Sequence, residues 1–348
     1  MNAYRFVLEK SSNKYLCPSC SKKRFVRYVD METGAYLPDH YGRCDREVSC
    51  AYHLNPYKDG FHKENEHVKL AASGIKKVSM LRPKPDGRNR MNNSQSYIPM
   101  DVLKQTLRGY EHNAFIQNLL HRVPYPFGAK DIEMVVSLYY LGTISKGYRF
   151  GAITFPFIDR KGNVRAVQVK QFNQSNHTTG TDFLHSIIVR HHAKINKPLP
   201  DWLQAYQANE KKVSCLFGEH LLGKYPHNPV AVVEAPKTAI YGSLYFGFPW
   251  ERDGLLWLAA YSLSSLNIEK CKALKGRRVF LFPDLSKEGR AFSLWSERAK
   301  EFEAMIPGTR FIMSDLLEKY APIEGRQKGC DLADYLSRLD WRLFRSVG

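Results

Sequence analysis

Two acidic residues in this sequence each follow a short apolar run. Glu234 comes directly after the run Val230–Val233, and Asp284 comes two residues after the run Val279–Phe282. Runs of this length and composition are typical of strands that are buried on both faces of a parallel sheet. Ligands bind at the carboxyl ends of such strands, so the two acids lie where the chemistry of an open α/β sheet usually takes place. The alternative is that both acids are helix N-caps or surface charges at strand ends.

Four of the seven cysteines lie between positions 17 and 50, as a C-x2-C pair and a C-x5-C pair. Four thiolates are a typical ligand set for a structural zinc ion. The segments Phe25–Val29 and Ala35–Leu37 between the pairs predict a β-hairpin, so the whole stretch indicates a zinc ribbon that metal binding stabilises. The predicted ligands are Cys17, Cys20, Cys44 and Cys50. In an alternative set, His53, three residues after Cys50, replaces Cys44.

The 348 residues contain 52 Lys and Arg against 34 Asp and Glu, a net charge of +18. This excess predicts a polyanionic partner, with nucleic acid favoured over a membrane surface. No run of 18 apolar residues and no signal-peptide core is visible, so we expect a soluble, cytoplasmic protein. The scattered remaining cysteines fit a reducing compartment.

Basic residues that could contact nucleic acid fall in two regions. In the ribbon they are interleaved with tyrosines, an arrangement suited to phosphates and stacked bases. In the middle of the chain they lie on a predicted hairpin strand and in the basic run after it, which we expect to be mobile loops along a phosphate backbone. An ordinary solvated surface is the alternative in both regions. The candidates are Arg27, Arg43 and Arg46 in the ribbon and Arg165, Lys170 and Arg190 in the middle of the chain.

The remaining periodicity predicts the elements that must position these groups. The helical spacing and the change to strand-like alternation are clear, and a turn at Asp159–Asn163 joins the two strands of the hairpin. The predicted elements are helices over Pro99–His121, Ala129–Tyr139 and Thr238–Phe246, and a hairpin over Phe150–Phe172. Ser262 and its neighbours are expected to cap a short helix rather than to bind phosphate.

In order, the ribbon, a basic tether, a helical pair, the hairpin ITFPFIDRKGNV, the segment LFGEHLL and the strand ending in VVE resemble bacterial replicative primases. The stretches VVEAPKTAIYGS and FLFPD are similar to toprim-like, primase-related proteins of mobile elements. The resemblance implies an α/β fold in four parts. These are a zinc β-ribbon (1–60), a flexible basic linker (61–97), a primase-like α+β subdomain (98–226) and a toprim domain with a Rossmann-like, mostly parallel sheet (227–348).

The resemblance also implies roles for individual residues. Glu234 matches the toprim glutamate, a general acid or base beside the metal, and Asp284 matches the first aspartate of an Asp-x-Asp pair. Ser286 stands where the second aspartate is expected, and Lys237 lies near the position of a further acid. Lys237 could bind a phosphate or pair with Glu234. Two later acids, Asp331 and Asp334, could complete the cluster, although Asp331 is also a suitable N-cap.

The implied activity is synthesis of short RNA primers on single-stranded DNA from ribonucleoside triphosphates, with Mg²⁺ or Mn²⁺ at the acids and zinc in the ribbon. The implied setting is a mobile element or phage, with a replicative helicase as a further partner. Two alternatives remain. A toprim nuclease would use the same acids, and Ser286 in place of an acid is consistent with a catalytically degenerate protein that binds DNA or another partner.

Overall fold

The computed structural model describes residues 4–9, 13–47, 50–61, 97–208 and 213–345, without the side chains of residues 327 and 328. The chain forms two compact units, Met1–Asn93 and Ser94–Gly348. The predicted linker lies almost entirely outside the described residues. Within the described residues, no helix combines the length and the apolar character needed to cross a membrane.

The first unit is a small antiparallel sheet. The first arm of the predicted hairpin lies within the longer strand Lys23–Asp30. The second arm, Ala35–Leu37, forms no regular strand and pairs with the first through the isolated bridge between Val29 and Tyr36. A few aromatic and aliphatic side chains, among them Phe6 and Tyr28, form its small core. The strands are β1 (Phe6–Leu8), β2 (Tyr15–Leu16), β3 (Lys23–Asp30), β4 (Gly42–Cys44) and β5 (His53–Leu54).

The second unit begins with helices. The prediction of one helix over Pro99–His121 is wrong, because the first helix ends at Lys104 and the next one begins only at Ala114. Gly109, with φ +71°, lies in the break between them. The Asn113 side chain caps the new helix by accepting a hydrogen bond from the backbone N–H of Ile116. The helix predicted over Ala129–Tyr139 is confirmed. The helices are α1 (Met100–Lys104), α2 (Ala114–His121) and α3 (Ala129–Tyr139).

An antiparallel sheet follows, in the strand order β6-β7-β8-β9. The predicted hairpin is confirmed as β7 and β8, but the expectation of mobile loops after it is wrong. The polar segment pairs with β8, with Gly180 opposite Gln171, and the basic run is a helix whose Leu184 and Ile188 pack on the sheet. The elements are β6 (Gly142–Thr143), β7 (Ile153–Ile158), β8 (Val164–Phe172), β9 (Thr178–Phe183), α4 (Leu184–Lys194), α5 (Asp201–Gln207) and α6 (Leu221–Lys224).

The last part is a four-stranded parallel sheet in the order β11-β10-β12-β13, with helices between the strands. Its two predicted strands and the helix beginning at Pro236 are confirmed. The elements are β10 (Val230–Val233), α7 (Pro236–Phe246), β11 (Leu256–Ala259), α8 (Ile268–Cys271), β12 (Arg278–Phe282), α9 (Arg290–Met305), β13 (Arg310–Met313), α10 (Leu316–Tyr320), α11 (Ile323–Lys328) and α12 (Leu332–Leu336).

Helix α7 joins the parallel sheet to the rest of the unit. All of its residues from Pro236 to Tyr245 are buried. Gly242 lies against the indole of Trp257, and the Tyr139 hydroxyl of α3 is 2.8 Å from the Ser243 hydroxyl. The Phe217 backbone bridges Ala259 at the edge of β11. The helix can therefore move little without disturbing both the sheet and α3.

We expect Gly242→Ala to destabilise the second unit. A Cβ at this position would lie 2.2 Å from the Trp257 ring, so the helix must shift at a cost of about 1–3 kcal/mol. The urea midpoint of the second-unit transition should fall. Gly223→Ala in α6 is the matched control, because a Cβ there meets nothing within 4 Å. Equal midpoints for the two variants would contradict this packing.

Candidate functional site

The four predicted cysteines of the ribbon come together. The Sγ atoms of Cys17 and Cys50 are 3.6 Å apart, and those of Cys20 and Cys44 are 3.9 Å apart. Four sulfurs at tetrahedral positions around a zinc ion, each about 2.3 Å from it, would be about 3.8 Å apart. Among the described residues, these cysteines are the one group of three or more ligands close enough to hold a metal ion together. Their geometry supports a structural zinc ion.

The local backbone favours metal binding by these sulfurs. A hydrogen bond from the backbone N–H of Lys22 lowers the pKa of Cys20 to about 6, and the Arg46 side chain also stabilises the thiolate. His53 lies outside the cluster, and its Nε2 is 3.0 Å from the Tyr28 hydroxyl. The alternative ligand set with His53 is therefore not the one that the structure assembles.

Two other basic candidates in the ribbon also contact neighbouring groups. The Arg27 guanidinium donates to the Leu37 carbonyl at 2.7 Å and lies 4.8 Å from the centroid of the Tyr36 ring. Arg43 lies 3.7 Å from a carboxylate oxygen of Glu47. Their predicted contacts with nucleic acid stay a prediction.

We expect Cys44→Ser to abolish stoichiometric zinc binding, because a neutral hydroxyl is a poor zinc ligand. Purified protein should fall from about one zinc per chain to near zero by plasma mass spectrometry. His53→Asn is the control and should keep its zinc. The opposite result, with zinc lost in the histidine variant and retained in the serine variant, would assign the ligand to His53.

In the second unit, Glu234 and Asp284 meet at one edge of the parallel sheet. β10 and β12 are adjacent and in register, with Val233 opposite Phe282. The Asp284 backbone N–H donates to Glu234 Oε1 at 3.2 Å. From β10 the chain continues to β11 on one side, whereas β12 lies on the other side. The strand order therefore reverses between the two acids, and such a crevice is where open α/β sheets bind ligands.

Asp284 lacks a full set of partners at this edge. Its Oδ1 is buried without a hydrogen-bond partner among the described residues. Burial raises the pKa of Asp284 well above its ordinary value, and the negative charges of Glu234 and Asp331 raise it further. A cation near Oδ1 would remove both penalties. Glu234 and Asp284 therefore fit a hard divalent ion that keeps several of its waters.

Lys237 connects the two later acids to this edge. Its Nζ lies 2.9 Å from Asp331 Oδ2 and 2.8 Å from Asp334 Oδ1. Burial lowers the pKa of Lys237, but the two carboxylates outweigh it and raise the pKa above the ordinary value. The predicted pairing of Lys237 with Glu234 is therefore not the pairing formed. The Lys237 ammonium group therefore lies between Asp331 and Asp334, where a metal ion coordinated by both aspartates would have to lie.

Asp331 and Asp334 also begin the helix α12. The Asp334 backbone N–H donates to Asp331 Oδ1 at 2.8 Å, and the Asp331 N–H donates to Asp334 Oδ2 at 3.3 Å. This reciprocal capping box satisfies two N–H groups of the first helical turn. The predicted capping role of Asp331 is thus present together with its ion pair to Lys237.

Ser286, where the resemblance to toprim proteins leads us to expect a second acid, is buried and caps a helix. Its Oγ accepts a hydrogen bond of 2.7 Å from the backbone N–H of Ala291 in the first turn of α9. Ser262 likewise forms a capping box with Ser265, as expected. Both hydroxyls thus form hydrogen bonds at the start of a helix.

Lys170 of β8 belongs to the same electrostatic cluster. Burial lowers the pKa of Lys170 to about 8, and the positive charge of Lys237 lowers it further, whereas Asp331 and Asp284 oppose the shift. His177, which the sequence analysis did not select, lies close enough to help lower the pKa of Asp334. No local sequence pattern marks His177, which lies in the turn between β8 and β9.

The other two basic candidates are not part of this cluster. Arg165 Nε lies 3.5 Å from Asp159, and its guanidinium is over the Tyr97 ring. Arg190 is ion-paired with Asp182. Both arginines are therefore involved in contacts within the second unit.

We expect Lys237→Met to destabilise the second unit strongly, because Asp331 and Asp334 would lose their buried counterion. Breaking a buried pair of this kind costs roughly 3–5 kcal/mol. Lys272→Met is the control, since its pair with Glu269 is exposed and worth at most about 1 kcal/mol. Adding Asp331→Asn and Asp334→Asn to Lys237→Met should restore part of the urea midpoint. No difference between the two lysine variants would contradict the buried ion pair.

Comparisons with known proteins place this site in context. Residues 113–285 match the profile of a family described as a domain of unknown function (DUF6371), and residues 4–66 match that of a zinc beta-ribbon finger. The second match agrees with the four-cysteine cluster. No curated protein matches the sequence.

The structural neighbours include bacterial and phage primases. The primase of Aquifex aeolicus, with its zinc-binding and RNA polymerase domains, is 14% identical over 97% of this chain and 79% of its own, with a TM-score of 0.38. The primase fragment of the bacteriophage T7 primase-helicase is 12% identical over 88% and 90%, with a TM-score of 0.31. The E. coli primase catalytic core is 12% identical over 71% and 69%, with a TM-score of 0.31.

Proposed function

We propose that this protein is a primase-like nucleotidyltransferase that joins ribonucleotides on a single-stranded DNA template. The observation that carries the proposal is the meeting of Glu234 and Asp284 where the strand order reverses, with Asp284 Oδ1 buried and without a hydrogen-bond partner in the described part of the chain. Two carboxylates at such an edge are suited to a reaction on phosphates that requires Mg²⁺ or Mn²⁺. In this proposal the parallel sheet is the catalytic, toprim-like part of the chain.

In this proposal the residues of the site hold the divalent ion and neutralise the charge of the substrate phosphates, and they form no covalent bond with the substrate. When bound, the divalent ion supplies positive charge against the triphosphate and the attacking 3′ oxygen. Glu234 is oriented by the Asp284 N–H, so its carboxylate is fixed before substrate arrives. Lys170 can donate to a phosphate oxygen, since its partly buried ammonium forms no ion pair with any residue that the structure describes and its pKa of about 8 leaves it largely charged near neutral pH.

Charge balance at this edge of the sheet favours a bound divalent cation. Four carboxylates and the ammoniums of Lys170 and Lys237 leave an excess of two negative charges at this edge when all are ionised. One divalent ion neutralises that excess. Lys237 neutralises the later aspartates without a metal, and in this proposal it keeps them from repelling the substrate phosphates.

The finer parts of the proposal concern partners. The zinc ribbon would grip the template, and its arginines would approach phosphates. The net charge of +18 favours such a polyanion. A mobile element or phage as the setting, a cytoplasmic location and a replicative helicase as partner complete the proposal.

A second candidate function is a catalytically inactive protein that binds nucleic acid through the same fold. The specific observation in its favour is that Lys237 takes up two of the four acids, while Ser286 is a helix cap and not a ligand. A metal-dependent nuclease would use Glu234 and Asp284 in the same positions and is distinguished by its product.

The assay for the proposal combines the protein with single-stranded DNA, Mn²⁺ or Mg²⁺ and labelled ribonucleoside triphosphates. We expect short labelled oligomers, lost by at least about 100-fold in Glu234→Gln and in Asp284→Asn. Glu297→Gln, on the exposed face of α9, and Asp253→Asn, in an exposed loop, are the matched controls and should retain activity. Shortened DNA would identify the nuclease. DNA binding with neither product would identify the inactive binder.

A further inference from the structure

A second feature of the same unit lies far from the acids. A cavity of about 910 Å³ opens between α3, the tip of the β7–β8 hairpin, α6 and the loop after α7. Lys170 and its partner Ile153 lie at the acidic end of the hairpin, whereas Arg160 and Lys161 form the tip. Five residue steps along β7 correspond to about 17 Å. The cavity is therefore separate from the candidate active site.

The rim of the cavity is strongly basic. Four exposed cations line it against a single acid, Glu133, and none of the four has an ion pair within the described part of the chain. They come from three different elements, so the charge is concentrated by the fold and not by a run in the sequence. The cations are Lys130, Arg160, Lys161 and Lys224.

Trp250 gives this cavity a flat aromatic surface that is held in place. Its ring stacks on the fully buried Phe248 ring, with centroids 4.8 Å apart and an angle of 1° between the planes. The indole is still 49% exposed. One face is thus fixed on the core and the other is open. Arg345, hydrogen-bonded to Asp131, lies 5.3 Å from the Phe248 centroid and adds support from α3.

Tyr140 is a second exposed ring on the same lining. It ends α3 in the left-handed conformation, with φ +52°, and is 41% exposed. Its ring lies 5.5 Å from that of His220, which also lines the cavity. Exposed rings held beside unpaired cations are the combination that binds bases by stacking and backbone phosphates by charge.

We infer that this cavity binds single-stranded nucleic acid, with a base stacked on Trp250 and phosphates on the cations of the rim. An acidic peptide could pair with the cations but has no flat base to stack on the indole. The four separate cations suit the successive phosphates of a strand better than a single phosphate group. The inference deepens the proposed function. It rests on that function in identifying the natural occupant as a template or product strand.

The test is fluorescence anisotropy of a labelled twenty-residue oligothymidylate with the zinc-loaded full chain, without added Mg²⁺, Mn²⁺ or nucleotides. Trp250→Ala should weaken binding about tenfold, because base stacking on an aromatic side chain is worth about 1–3 kcal/mol per base. Trp250→Phe should retain most of the affinity. Tyr320→Ala, which removes an exposed ring from α10, is the matched control and should bind like the parent protein.

Charge is tested separately on the hairpin tip. Arg160→Gln with Lys161→Gln should reduce the slope of log affinity against log salt by about 1.4, since each phosphate contact on a single strand contributes about 0.7. Lys275→Gln with Lys300→Gln removes two exposed cations elsewhere and should leave the slope unchanged. Urea midpoints measured for every variant identify any loss of affinity that comes from unfolding.

Unchanged affinity in Trp250→Ala and an unchanged slope in the hairpin-tip variant would overturn the inference. Full displacement of the oligonucleotide by millimolar AMP would also overturn it, in favour of a mononucleotide pocket. Because the assay contains no added Mg²⁺, Mn²⁺ or nucleotides, failure of primer synthesis and failure of strand binding are read independently.

Discussion

The parallel pairing of β10 with β12 is the constraint on which the candidate site depends. With Val233 opposite Phe282, the residues after both strands emerge side by side, and the Asp284 amide reaches the Glu234 carboxylate. The chain leaves β10 toward β11 on the opposite side, so no connection fills the space between the acids. The pairing of the strands therefore concentrates negative charge at the carboxyl end of the sheet.

That concentration of charge explains the surrounding residues. Burial raises the pKa of Asp284, and the negative charges of Glu234 and Asp331 raise it further. Lys237 of α7 lies between Asp331 and Asp334 and offsets part of their charge, and α12 begins on these two acids. A buried ammonium therefore serves as a permanent counterion for half of the cluster, and the other half is left for a ligand.

The hairpin β7–β8 connects two different chemical environments. Lys170 at one end shares the field of the acids, whereas the tip at the other end lies beside an aromatic surface and unpaired cations. The rigid support for both ends is the same aromatic core, in which Phe217 contacts the rings of Tyr139 and Phe155. A strand of nucleic acid and a divalent ion would thus be held by one framework without competing for the same groups.

Local sequence was sufficient for much of this structure. The cysteine spacing predicted the ligands that converge, the apolar runs predicted β10 and β12, and Ala129–Tyr139 was predicted to the residue, because each of these signals is contained within a few neighbouring positions. The mobile loops expected after β8 were wrong, since the edge of β8 supplies hydrogen bonds that no local pattern reveals. Only the tertiary structure decided that Lys237 pairs with Asp331 and Asp334, almost a hundred positions away, and that Trp250 stacks beside cations from three elements. Such partners are chosen by the packing of distant helices and strands, and neither spacing nor periodicity along the chain carries that information.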